Sequence, residues 1–452
     1  MRVDIKDSGL INKVLSRLLK NNINYNFRGI SIDSKKIKKK DIFIALQGTK
    51  SHGADFLDDM LLNKLSLVIS DKPIDNKKVF LVKDSKVFLH EFAKNFRISL
   101  NSKFICITGT NGKTSTKNLL VDFLKSKYSI DFSRGNFNST TSLPLSILSF
   151  DNKSDYSVLE MGASKSSEIE VLSMISSPNI GLVTNISNGH LEGFKSFDDL
   201  VNTKMALYEF LAENNGIYFL NKDDSSIGRY SDFNSIRNVI SFSATNQDSN
   251  YFASLSDLNK GFIGIGDYIF KVPYKTKAFV YNFLSSYSIA SYLGVSDDMI
   301  QQSLNNFKLP SGRGDILKVG DIVIINDSYN ANLESMKYGI SSISSDDYNN
   351  KKVVLVLGDM LELGEYSVKI HKDLGQYISS LNYVDTVYGV GCLIEETINS
   401  INNSKINKKY FSSKESLIES LKNHERYKVY YFKGSRGMRI DDIINGVFGN
   451  VI

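Results

Sequence analysis

The chain has 452 residues, 42% of them apolar and 23% charged, with a formal net charge of +6. That length predicts about three domains, and so small a positive surplus excludes a dedicated nucleic-acid or membrane-surface binder. Two cysteines, Cys106 and Cys392, exclude a disulfide scaffold and fit a reducing compartment.

Met1 to Asn22 mixes apolar residues with Asp4, Lys6, Asp7, Lys13, Arg17 and Lys20, so it lacks the unbroken apolar core of a signal peptide. No stretch reaches the roughly 18 apolar residues that span a bilayer. A cytoplasmic protein without an integral membrane segment is expected. Three polar runs, 35–40, 341–352 and 399–409, predict solvated turns or loops. No internal repeat is present, and five prolines are too few to mark the domain boundaries.

From residue 104 onward one pattern recurs: a short apolar run, then a polar or glycine-rich turn. Phe104–Ile107 leads into Thr108-Gly109-Thr110-Asn111-Gly112-Lys113-Thr114, followed by Leu119, Leu120, Phe123 and Leu124 on one helical face. Tyr156–Leu159 leads into Glu160, and Ile180–Val183 into Thr184-Asn185. Leu200, Met205, Tyr208 and Leu211 share a helical face before Ile217–Leu220. Ile322–Ile325, Val353–Leu357 and Val429–Phe432 repeat the pattern, ending at Asn326-Asp327, Gly358-Asp359 and Lys433-Gly434. Short Val/Ile/Leu/aromatic runs alternating with helix-period segments predict an α/β fold with parallel sheets. Ligands then bind outside the carboxyl ends of the strands, where these polar clusters fall.

The first cluster carries the clearest chemistry. A glycine-rich turn between a strand and a helix presents backbone N–H groups and a helix N-terminus to phosphate oxygens. Lys113 is placed to neutralise the β/γ-phosphates and Thr114 to hold Mg²⁺. The full phosphate-loop spacing would put a further glycine at Ile107, so this is a shorter variant. Glu160, at the next strand end, is a candidate Mg²⁺ ligand because hard cations take carboxylate oxygen. His190 follows the Thr184-Asn185 strand end, but Mg²⁺ rarely uses imidazole, so by spacing alone it reads as a packed or surface residue rather than a ligand.

Taken together, Thr108–Thr114, Glu160-Met161-Gly162, Asn185 to Glu192, Ser311-Gly312-Arg313 and Asp327–Asn332 resemble the Mur ligases, ATP-dependent amide-forming enzymes of peptidoglycan precursor synthesis. Asp327–Asn332, Leu357–Gly364 and Lys433–Arg436 resemble the branch that adds D-Ala-D-Ala to a UDP-N-acetylmuramoyl-tripeptide. The Asp-Asn-Pro-Arg motif of the diaminopimelate- or lysine-adding branch is absent from the sequence. Ser31-Ile32-Asp33-Ser34-Lys35 and Phe43–Gly48 resemble a UDP-sugar-binding domain.

The resemblance implies three α/β domains: residues 1–82 binding the UDP end, 83–311 a parallel-sheet ATPase, and 312–452 a Rossmann-like domain for the incoming dipeptide. It implies ATP and two Mg²⁺ ions as cofactors, and a monomer without nucleic acid. By the same resemblance Gly109 to Ser115 (Gly109, Thr110, Asn111, Gly112, Lys113, Thr114, Ser115) bind ATP. Thr114 and Glu160 hold the first Mg²⁺ and His190 the second. Lys204 is a carbamylated lysine, which turns an ammonium with no lone pair into an anionic oxygen ligand. Arg313 and Asp327 reach back onto ATP, and Asn282 and Asn330 meet adenosine. Asn136, Asn138, Thr140 and Thr141 meet the substrate, and Ser31, Asp33 and Ser34 its UDP end.

The sequence departs from the family pattern at Thr141-Ser142, Ala206, Ala278-Phe279 and Asn332-Leu333, which touch loop shape and adenine contacts. Cys106 reads as a core residue and His371 as a structural one. His52, beside Gly53, is weighed against a diphosphate contact, and His90 and His424 carry no signal. Two other classes compete: a sibling ligase of another Mur step or the folylpolyglutamate type, and a non-catalytic nucleotide-binding protein.

Overall fold

A computed structural model describes residues 1–187, 189, 191–230, 238–344, 351–422, 428–449 and 451. Among these, three parallel-rich sheets follow one another along the chain, giving the expected α/β architecture. The first sheet runs Arg2–Asp4, Gly29–Ser31, Asp41–Ala45, Leu65–Ser70, Val79–Leu81, and only its first pair is antiparallel.

In the second sheet Lys103–Thr108 lies between Ile180–Val183 and Tyr156–Glu160, parallel to both. Strand order therefore reverses at Lys103–Thr108, which opens a crevice at its carboxyl end. Ile130–Phe132 closes one side, while Ile217–Asn221 and Val239–Ser243 extend the other. In the third sheet Lys428–Lys433 lies between Ile322–Asn326 and Lys352–Gly358, again parallel to both. Val384–Val390 and Asn407–Phe411 continue it.

Each apolar run singled out in the sequence is a strand, and most extend by a residue at one or both ends. Tyr156–Glu160, Ile217–Asn221 and Ile322–Asn326 thus carry their polar residue as the last strand position. The central strands are buried on both faces, as the unbroken apolar runs require.

Other elements went unseen. In the first sheet Gly29–Ser31 and Val79–Leu81 escape notice because they are three residues long. Tyr251–Ser254, Phe262–Ile265 and Tyr268–Lys271 add an antiparallel margin to the second sheet. The polar runs are also not simply loops. Residues 35–36 sit in a 3-10 turn, Ser34–Lys36. The 399–409 run holds the end of helix Ile394–Ser400 and the start of strand Asn407–Phe411. That is an edge strand whose first residues face water, so Asn and Lys suit it. The 341–352 run begins in helix Leu333–Ser341 and ends in strand Lys352–Gly358, with 345–350 outside the described residues.

Helix Ser85–Ile98 joins the first two sheets. Asp84 caps it, accepting from the amides of Lys86 and Val87 at 2.7 and 2.9 Å. Its Leu89, Phe92, Ala93 and Phe96 are fully buried in a core that also contains Ile11 and Leu15 from the first region and Leu143 and Leu172 from the second. Each buried Leu or Phe side chain contributes about 1.5–3 kcal/mol. The Arg97 guanidinium lies 3.8 Å from the Phe104 ring centroid and donates to the Ser176 carbonyl at 2.8 Å. Lys6 also reaches across to Asp131. No described helix is long and apolar enough to cross a membrane.

Candidate functional site

The carboxyl ends of the second and third sheets face each other across a cavity of about 1050 Å³. The phosphate loop forms its floor. Gly109 takes a φ of 138° and Gly112 one of 82°, values that L side chains avoid. A side chain on Gly109 would also strike the Thr184 hydroxyl, and one on Gly112 the Asn282 amide. The loop is tied to the neighbouring strand end. Thr110 N–H donates to the Asn185 carbonyl at 2.8 Å and Asn111 N–H to Asn185 Oδ1 at 3.0 Å. The Asn111 carbonyl accepts from Thr184 Oγ1 at 2.7 Å and Asn185 Nδ2 at 2.9 Å. Helix Lys113–Lys125 starts at Gly112 with no side-chain cap, which leaves its first N–H groups directed at the cavity.

Two lysines share one loop carbonyl. Lys113 Nζ donates to the carbonyls of Gly109 and Thr110, both at 2.9 Å. Lys204, buried on helix Phe197–Glu213, donates to the Gly109 carbonyl from behind at 3.1 Å. Burial pushes the Lys113 ammonium down to about 8. Burial, with the charge of Lys113 adding to it, pushes Lys204 down to about 7.

Glu160 is 3% exposed and held on both oxygens. Oε1 accepts from Asn138 Nδ2 and Oε2 from Thr114 Oγ1, each at 2.8 Å. Lys117 Nζ lies 3.7 Å from Oε2 and donates to the carbonyls of Ser133 at 2.8 Å and Gly135 at 3.3 Å. It thereby ties the phosphate-loop helix to the segment that carries Asn136 and Asn138. Among the described residues no group of three or more His, Cys, Asp or Glu could hold a metal ion. The hard oxygens available are those of Thr114 and Glu160, a hydroxyl and a carboxylate of the kind Mg²⁺ takes.

The third sheet supplies the opposite wall. Arg313 Nη2 donates to Thr114 Oγ1 at 3.1 Å, and its Cζ lies 3.9 Å from the Tyr329 ring centroid. Asp327 Oδ2 accepts from Lys433 Nζ at 2.6 Å and Tyr431 OH at 2.8 Å. Asn332 Nδ2 donates to Asn111 Oδ1 at 2.8 Å while its own Oδ1 caps helix Leu333–Ser341. Glu192 N–H donates to the Glu362 carbonyl at 3.2 Å.

Of the residues singled out in the sequence, Thr110 to Ser115 line the cavity together with Asn136, Asn138, Glu160, Asn282, Arg313, Asp327 and Asn330. Gly109 and Lys204 stand behind the loop. His190 lies outside the described residues, as do Asn188 and His424.

The remaining substrate candidates lie away from the cavity. Thr140 accepts from His90 Nε2 at 2.7 Å through its carbonyl, and Thr141 precedes helix Ser142–Ile147. Ser31, Asp33 and Ser34 form a turn at the end of strand Gly29–Ser31. There Ser31 Oγ donates to the Asp33 carbonyl at 2.9 Å, and the Asp33 carboxylate accepts from Lys35 N–H at 3.1 Å.

The minor histidines resolve too. His52 is occupied internally, with Nε2 2.7 Å from Asp71 and Nδ1 accepting from Ala54 N–H at 3.1 Å. Buried His371 accepts from Met360 N–H at 3.1 Å and so orients the 359–364 loop. Cys106 is a core residue, its thiol pushed up to about 12 by burial.

Lys117, Tyr329 and Lys433 were missed as individual residues. Lys117 follows Lys113 by one helical turn, and that spacing was the available signal. Nothing local marks Tyr329 or Lys433, whose partners lie far away in sequence.

Comparison with known proteins gives matches on both sides of the cavity. The family described as Mur ligase middle domain matches residues 107–290, and Mur ligase, glutamate ligase domain, matches residues 312–436. The UDP-N-acetylmuramoyl-tripeptide--D-alanyl-D-alanine ligase of Rickettsia prowazekii is 31% identical, over 94% of this chain and 96% of its own. The Bacillus subtilis protein of that name is 28% identical over 92% of each chain. Among solved structures, a MurF ligase from Thermotoga maritima in complex with ADP superposes with a TM-score of 0.81 at 26% identity, covering 93% of this chain and 97% of that one. A MurF structure from Acinetobacter baumannii gives 0.86 at 24% identity, covering 97% and 98%.

Proposed function

The chain belongs to the Mur ligase family, and from that premise we propose that it is the ATP-dependent ligase that joins D-Ala-D-Ala to UDP-N-acetylmuramoyl-tripeptide in peptidoglycan precursor synthesis. The γ-phosphoryl group passes from ATP to the tripeptide's terminal carboxylate, giving an acyl phosphate and ADP. The dipeptide amine attacks the acyl carbon, and the tetrahedral adduct expels phosphate and a proton to leave the amide.

A carboxylate repels the phosphate it must attack, so the site has to supply positive charge in a dry cleft. Lys113 and the open helix N-terminus meet the β/γ-phosphates, with Gly109 to Ser115 around them. Thr114 and Glu160 would hold Mg²⁺, and their paired buried oxygens fit a hard cation; bound there, the ion screens the charge that develops on the transferring oxygens. A second Mg²⁺ is assigned to His190 and Lys204. The lowered basicity of Lys204 supports its carbamylation, because only the unprotonated amine adds CO₂, losing a proton as it becomes an anionic carbamate.

Arg313 and Asp327 complete the nucleotide site from the third domain, with Asn282 and Asn330 beside adenosine. Closure of that wall excludes water from the acyl phosphate. Asn136, Asn138, Thr140 and Thr141 belong to the tripeptide side, and Ser31, Asp33 and Ser34 to the UDP end. Domains spanning 1–82, 83–311 and 312–452 carry these three tasks. We further infer a monomer that works in the cytoplasm, where a UDP-linked precursor and ATP would both be at hand.

The observation that carries the proposal is the meeting of the phosphate loop, Glu160 and the third-domain residues Arg313 and Asp327 around one cavity. Phosphate release by the purified protein with Mg²⁺ should require both the UDP-linked tripeptide and D-Ala-D-Ala, and mass spectrometry should find the pentapeptide. ATP hydrolysis that never yields pentapeptide, or equal use of single amino acids in place of the dipeptide, sinks the assignment.

A further inference from the structure

An incoming dipeptide uses its amine to make the new bond and keeps its carboxylate. Inside a cleft that charge needs a cation, because an unpaired buried carboxylate is costly. Among the described residues, the cavity wall from the third sheet carries three cations: Arg313, Lys433 and Arg436. Lys433 is 3% exposed and committed to Asp327 at 2.6 Å. Arg313 is committed to Thr114. The Arg436 side chain is 61% exposed, and its ion pair with Asp441 is a loose 3.5 Å.

Arg436 is nevertheless firmly mounted. It opens the 3-10 turn Arg436–Met438, directly after Ser435. Ser435 N–H donates to the Asp359 carbonyl at 3.0 Å, and Ser435 Oγ accepts from Leu361 N–H at 2.8 Å. Its guanidinium carbon lies 5.5 Å from the Tyr329 ring centroid, and that of Arg313 lies 3.9 Å from the same ring. Tyr329 N–H is fixed on the Gly312 carbonyl at 3.0 Å. One ring therefore holds a phosphate-side and an open guanidinium no more than about 10 Å apart, so a group bound at Arg436 lies within the length of an extended dipeptide and a side chain of the phosphate end, at about 3.4 Å per residue.

We propose that Arg436 binds the free carboxylate of the incoming dipeptide, and that Tyr329 sets its distance from Arg313 and so the position of the attacking amine. The inference rests on the ligase assignment above and names the group that selects a dipeptide acid.

The test compares D-Ala-D-Ala with its C-terminal amide on the wild type and on Arg436→Met, a variant at an exposed position. Wild type should favour the acid by about 10–100-fold in kcat/KM, the scale of a charge-assisted hydrogen bond. Arg436→Met should lose that preference through KM for the acid, with the amide, ATP and UDP-tripeptide constants little changed. Arg436→Lys should recover part of it. Tyr329→Leu should raise KM for both ATP and dipeptide, and Tyr329→Phe should restore both.

Equal losses for acid and amide in Arg436→Met, or a wild type that does not distinguish them, overturns the inference while leaving the ligase assignment intact. A wild type that hydrolyses ATP but ligates neither compound refutes that assignment and this inference with it.

Discussion

The two walls of the cavity are built on different principles. The central wall is built on loop backbone that neighbouring side chains hold in place: two glycines at positive φ, loop amides tied to Asn185, and the Glu160 carboxylate locked on both oxygens by Asn138 and Thr114. The third-domain wall is side chain: a guanidinium stacked on Tyr329, an Asp327–Lys433 pair, and an amide bridge from Asn332 to Asn111. A backbone wall is ordered before its ligand arrives and has little else to do. A side-chain wall satisfies its charges internally and can exchange those partners for substrate groups. Polyphosphate needs a rigid cradle, whereas an acceptor delivered by a moving domain needs exchangeable contacts.

This contrast can be broken by substitution. Lys113→Ala should lower kcat by about 10²–10³ or more, read by phosphate release at saturating substrates. A loss below tenfold would remove the central wall from the chemistry.

Lys204→Ala should cost on the order of 10² in kcat and regain activity with acetate or formate, since either can replace a carbamate oxygen. Because burial and the charge of Lys113 push its amine down to about 7, reactivation of CO₂-stripped wild type at a fixed dissolved CO₂ concentration should be faster above pH 7 and slower below it. A pH-independent reactivation, or no rescue, argues against the carbamate.

Lys117→Met should cost about tenfold or more in activity by releasing the segment with Asn136 and Asn138, and hydrogen exchange should quicken at 133–138. Uniform quickening along the chain would instead mean global destabilisation.

On the other wall the effects are smaller. Asp327→Asn leaves nearly buried Lys433 without its counter-charge and should cost about 1–3 kcal/mol in denaturant unfolding. Asn332→Ala removes a helix cap and the bridge to Asn111, at about 1 kcal/mol.

The same division governs what the sequence reveals. The heart of the central wall is contiguous: loop, lysine and hydroxyl fall within seven residues, and Glu160 ends the strand that pairs with the one before the loop. Hydrophobic runs bounded by polar turns located the central strands that bear on the cavity, because strands buried on both faces show no alternation to misread; the half-exposed strand Asp315–Val319, which brings Ile316 to it, was not among them. The third-domain wall is assembled from residues brought together only by sheet order. Lys433 meets Asp327 because Lys428–Lys433 pairs with Ile322–Asn326, a pairing no local pattern announces. Lys117 looks like any polar helix residue until Ser133 and Gly135 turn their carbonyls toward it. In the first sheet Arg2–Asp4, Gly29–Ser31 and Val79–Leu81 stayed hidden because strands of three residues are too short to show a period.

One placement has a mechanical corollary. Helix Ser85–Ile98 buries Leu89, Phe92, Ala93 and Phe96 where the first two sheets meet, and the chain passes from the central sheet to the third between Asn306 and Asp315; a hinge at that crossing would have Arg313 at its fulcrum. A lever sweeps its shortest arc beside the fulcrum. Rotation of the outer lobe would carry Asp327 and Arg436 far while Arg313 barely shifts. Its grip beside Thr114 can then persist through each cycle as the acceptor side opens and shuts.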